Sequence, residues 1–147
     1  MKTVPFILRD HRDQLWRRWT ESLGEDVPAD YRELMSSPLG ERFVRAFVDD
    51  LTAWSEAEEY EAPTQLRQAC ERVGADALHR MALGFTALEL AAALQALRGA
   101  IIDVLLDVLV LGDLPSFAET LEQVKAADRF IDQLVHAVLL AEPSGGR

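Results

Sequence analysis

Residues 84–112 read GFTALELAAALQALRGAIIDVLLDVLVLG, and the periodicity of this stretch decides the fold class. Leu90, Leu94, Leu97, Ile101, Leu105 and Val108 recur at steps of three and four, the spacing that places side chains on one face of an α-helix. Gly84 suits the left-handed residue that closes the preceding helix, because it has no Cβ to clash there. Thr86 and Glu89 have capping-box spacing, in which a hydroxyl and a carboxylate each satisfy a backbone N–H of the first turn. The spacing therefore predicts a helix from the Thr86 cap to Leu111, stopped by Gly112.

A second apolar stripe, Gly99, Ile102, Leu106 and Leu109, lies roughly 80–160° around the same helix. A helix on the surface of a globule needs only one apolar face, so a helix apolar on two sides is expected to be covered on both. Either its own bundle wraps it, or the second stripe meets a partner, most simply the same helix of a second copy. Gly99 would let two backbones approach closely.

Nearer the N-terminus, Leu8, Leu15, Trp16, Trp19 and Leu23 mark a first helix from about Pro5 to Leu23, closed by Gly24. Glu25 to Ser37 reads as a loop with one short turn, where Asp30 and Glu33 have capping-box spacing. Ser37-Pro38 is an N-cap followed by proline at the first helical position. Phe43, Val44, Phe47, Val48, Leu51 and Trp54 then stripe a second helix to about Tyr60. Pro63-Thr64 opens a third, with Leu66, Cys70, Val73, Ala77 and Met81 on its face. After the central helix, Ser116 and Glu119 repeat the capping box behind Pro115 and open a fifth helix to about Ala141. The expectation is an all-α, up-and-down bundle of about five helices forming one domain over residues 1–141, with a disordered tail over 142–147.

Composition narrows the function. The chain has 147 residues with a net charge of −10, which argues against nucleic-acid binding through phosphate contacts. A single cysteine, Cys70, excludes a disulfide framework and every multi-cysteine zinc site. The most apolar run, Ala100 to Leu111, carries Asp103 and Asp107 and falls short of the ~20 residues a membrane span needs. The N-terminus has no secretory pattern, so a soluble cytoplasmic protein, free of membrane contact, is expected.

Catalytic and cofactor signatures are absent: no G-x-S-x-G, no phosphate-binding glycine loop and no H-E-x-x-H. Asp103 and Asp107 share a helix face but lack a nearby histidine or lysine, and they read as a solvated edge. Asp76 with His79, and Asp132 with His136, sit within a helical turn of each other, yet a bundle binding two metals would need Glu-x-x-His twice and two further Glu. His79 falls off the core stripe, away from the place of a haem ligand. No metal or cofactor is therefore assigned, and no catalytic residue. Charge is segregated: residues 1–20 hold Lys2, Arg9, Arg12, Arg17 and Arg18 against Asp10 and Asp13, a local +3. Asp49, Asp50, Glu56, Glu58, Glu59 and Glu61 form an acidic run that is either a solvated face or a docking patch for a basic partner. Trp16, Trp19 and Trp54 either fill the core between the first two helices or line a small-molecule pocket.

The stretch from Ala77 through His79, Gly84, Phe85, Thr86 and Glu89, followed by Leu97-Arg98, resembles the N-terminal domain of RsbT co-antagonist proteins of the RsbRD type. Trp16-Arg-Arg-Trp19 and Ala127-Asp-Arg-Phe-Ile131-Asp are similar to that family's first and last helices, so the resemblance covers about residues 10–140. It implies a stressosome-like, all-helical sensory or regulatory domain, often dimeric and usually fused ahead of a STAS or histidine-kinase effector. His79, Gly84, Phe85, Glu89 and Arg98 are the matching positions, shaping the helix junction and any signal pocket, and Arg80 departs from a common glycine. The leading expectation is a non-enzymatic signalling module acting through protein–protein contacts, as a homodimer and with a kinase, STAS-domain or anti-sigma-type partner. One alternative is a sensor holding a metabolite between helices near Trp16, Trp19 and Trp54, and another is a metal- or haem-binding bundle.

Overall fold

The computed structural model describes residues 3–110 and 116–141, and among them every regular element is a helix. In chain order these are α1 (Val4–Asp10), α2 (Arg12–Ser22), α3 (Ala29–Met35), α4 (Pro38–Glu56), α5 (Ala62–Ala82), α6 (Ala87–Gln95), α7 (Leu97–Val110) and α8 (Phe117–Leu140). The helical class expected from the sequence holds. The division into five up-and-down helices does not.

The first expected helix breaks at His11, where φ −118° and ψ 33° leave the helical region. Both halves lie on α4 and α7, and the break lets α1 also reach the start of α8. The stretch Ala87–Val110 is also divided, at Ala96, although φ −62° and ψ −18° keep that residue in the helical region; α6 packs on α8 while α7 packs on α2. The expected loop before Ser37 contains α3, which starts after Pro28 without a side-chain cap. Asp30 therefore does not cap; it lies inside the first turn, where its Oδ1 accepts from the Tyr31 N–H. Helix α4 ends at Glu56, short of Tyr60, with Ala57 already extended. The Gly112 stop and the tail over 142–147 lie outside the described residues.

Local chemistry explains the boundaries that the sequence does mark. The Ser37 hydroxyl accepts from the Leu39 N–H at the start of α4. Thr86 Oγ1 accepts from the Glu89 N–H at 3.1 Å, and the Glu89 carboxylate accepts from the Thr86 N–H at 2.8 Å, a complete capping box. Gly84 has φ 107°, a backbone conformation open to glycine and strained for other residues. Ser116 accepts from the Glu119 N–H at the start of α8.

The core gathers one stripe from each long helix. Leu90, Leu94, Leu97, Ile101, Leu105 and Val108 are all 5% exposed or less, as their spacing requires. Trp19 is buried against them, its indole N–H donating to the Ala93 carbonyl at 2.7 Å and its ring stacked on Phe43 with centroids 5.4 Å apart. Phe130 of α8 packs between Phe47 and Trp54 of α4. Burial of each such side chain contributes about 1.5–3 kcal/mol. The turn from α3 into α4 is equally tight, because a Cβ on Gly40 would stand 1.7 Å from the Met35 carbonyl oxygen. None of the described helices is long and apolar enough to cross a membrane.

Candidate functional site

Helix α7 presents opposite faces to core and solvent. Its first stripe is sealed, whereas Gly99 is exposed, Ile102 is 44% exposed and Leu106 is 54% exposed. A Cβ added at Gly99 would meet nothing within 4 Å. The side chain of Leu109 lies outside the described residues. Of the two expectations for this helix, wrapping by its own bundle is overturned at Ile102 and Leu106, which the fold leaves open.

The two aspartates beside this stripe have separate surroundings. Asp107 accepts from Gln14 Nε2 at 2.5 Å and from Arg18 at 2.8 Å, tying α7 to α2. Asp103 is exposed. The structure thus gives Asp107 a helix-joining task.

The helix-junction positions singled out in the sequence have different surroundings. His79 is exposed on α5. Phe85 is half-buried, edge-on to Tyr31 with centroids 4.8 Å apart. Glu89 closes the capping box, and Arg98 forms ion pairs with Asp128 and Asp132 of α8. Asp76 pairs with Arg80, so the carboxylates beside His79 and His136 are both engaged by arginines. Among the described residues no group of three or more His, Cys, Asp or Glu is placed to hold a metal ion.

The charged runs are partly joined within the chain. Asp49 lies 3.6 Å from Arg12, and Asp50 pairs with Arg72. Glu56, Glu58, Glu59 and Glu61 remain exposed and form the acidic surface. The tryptophans separate: Trp19 is core, the Trp16 indole donates to the Met35 carbonyl at 2.8 Å, and Trp54 lines a different cleft of about 520 Å³ beside α8. Cys70 is half-buried, its Sγ 3.7 Å from the Gln133 carbonyl oxygen, and burial pushes the thiol up.

One group escaped the sequence reading. Arg80, on the last turn of α5, is only 6% exposed. It is bonded to Asp76 Oδ1 at 3.1 Å, and its Nε–H has no partner. It lines a cleft of about 230 Å³ between α4 and α5. The signal was present: Arg80 falls three residues after Ala77 and seven after Val73, on the core stripe. Searches of protein families, curated proteins and solved structures find nothing that matches the chain.

Proposed function

We propose that this chain is a non-enzymatic helical regulatory module that acts through protein–protein contacts and pairs with a second copy through α7. The open stripe of Gly99, Ile102 and Leu106 carries the reading. A second copy is its simplest occupant, because an apolar stripe on a helix is self-complementary about a two-fold axis. The bare Cα of Gly99 removes the first obstacle to close backbone approach. Two copies bring together four half-exposed Ile and Leu side chains, worth roughly 3–6 kcal/mol at ~1.5–3 kcal/mol per full burial. That places association in the weak, concentration-dependent range rather than that of an obligate dimer.

The acidic surface of Glu56, Glu58, Glu59 and Glu61 is left free to orient a basic effector. On the resemblance to RsbRD-type domains, a cytoplasmic kinase, STAS-domain or anti-sigma-type protein is the fitting class, and signal relay the fitting role. Cysteine cross-linking tests the pairing. In a Cys70→Ser background, Ile102→Cys is expected to form a disulfide-linked dimer under mild oxidation, much faster than Glu56→Cys. Equal rates at the two positions would overturn the α7 pairing.

A further inference from the structure

The cleft between α4 and α5 has the make-up of a binding site for a small organic anion. Helix α4 contributes Leu39, Phe43 and Phe47, and α5 contributes Val73, so most of its wall is apolar. Into this wall is set Arg80, more than nine-tenths buried. A guanidinium carries five N–H donors, and a buried donor without an acceptor costs about 1–3 kcal/mol. Asp76 accepts one of them at 3.1 Å and the buried Tyr31 hydroxyl oxygen accepts another, while the Nε–H is unmet. The fold therefore holds a desolvated cation with unused donors at the side of an apolar cleft.

The charges around it set the sign of the ligand. Arg42, Arg72 and Arg80 line the cleft against Asp50 and Asp76, a local excess of one positive charge in a chain of net −10. Arg72 is engaged by Asp50, whereas Arg42 stands exposed at the rim with no ion pair among the described residues. At ~30 Å³ per water the volume of about 230 Å³ holds about seven or eight waters, below the ~300–1,000 Å³ of drug-sized sites. We infer that this cleft binds a small monocarboxylate with an apolar body, its carboxylate accepting from Arg80 and its body lying against Phe43, Phe47 and Val73. Arginine fits such a group because its planar fork matches a carboxylate, and charge-assisted hydrogen bonds strengthen away from water. The site is separate from α7, so it stands or falls independently of self-association.

Two probes, benzoate and hexanoate, test it on the intact chain, with neutral benzamide and inorganic phosphate as comparisons. The first measurement needs no variant: benzoate or hexanoate at millimolar concentration is expected to shift the Arg80 Nε–H resonance saturably, and benzamide and phosphate are not. The second is calorimetry on Asp76→Asn/Arg80→Met, which removes the guanidinium without leaving a buried carboxylate unpaired. The dissociation constant is expected to rise at least about tenfold. No shift of Arg80 Nε–H with either carboxylate would overturn the inference and leave Arg80 a structural partner of Asp76 and Tyr31. An equal response to benzamide or phosphate, or unchanged affinity in the double variant, would overturn it as well.

Discussion

Tyr31 is buried beside Arg80 and Asp76, and burial pushes its hydroxyl up to about 12, the nearby Arg80 charge opposing and the Asp76 charge adding to the rise. A phenol whose folded pKa exceeds its unfolded value of ~10 favours the native state below that value and loses this contribution as pH rises through about 12. The chain has only two tyrosines, so Tyr60→Phe isolates Tyr31. In that variant the phenolate absorbance is expected to appear only near pH 12, or earlier if alkaline unfolding exposes the ring, in which case the two transitions coincide. Phenolate forming near pH 10 in a folded protein would contradict the burial of Tyr31. Asp76 follows the same logic: burial raises its carboxyl, against the lowering charges of Arg80 and His79. Its ionisation therefore weakens the fold as pH rises from the ordinary carboxylate range through the raised value. Carboxyl-carbon NMR is expected to place its midpoint above ~3.9, and a midpoint at or below that would contradict its burial.

Boundaries of helices were legible where a side chain or a glycine makes them, and illegible where packing alone does. Ser37, Gly84, Thr86 and Ser116 act at the ends where spacing puts them, because a cap needs only residues three or four apart. The breaks at His11 and Ala96 depend on which neighbour each half meets, information spread over distant helices. Thr86→Ala is expected to cost about 1 kcal/mol in urea denaturation, and no measurable loss would contradict the capping box. Nothing in the local sequence distinguishes Gly40, yet its Cα lies under the Met35 carbonyl that also accepts the Trp16 indole. Gly40→Ala is expected to destabilise by at least the ~1–3 kcal/mol typical of overpacking, since backbone must move. Gly24→Ala has open space, so equal effects at the two glycines would contradict the tight α3–α4 turn.

Across the whole molecule, the core stripe of 90–108 was readable because every member turns inward. Burial of Arg80 was not readable as chemistry, because the stripe arithmetic that places it inside says nothing about what receives its charge. The second stripe was readable as a surplus of apolar residues, and only the fold shows that α2 and α8 leave it open. With both copies at −10, their approach is opposed by like charge, so added salt is expected to strengthen self-association rather than weaken it. Sedimentation equilibrium tests this most directly, comparing the wild-type chain with Leu106→Glu from tens of micromolar to several millimolar, at low and moderate salt. A concentration-dependent dimer that salt favours is expected, and Leu106→Glu is expected to abolish it with helical circular dichroism intact. A wild-type chain that stays at the monomer mass of 16.4 kDa throughout would contradict it.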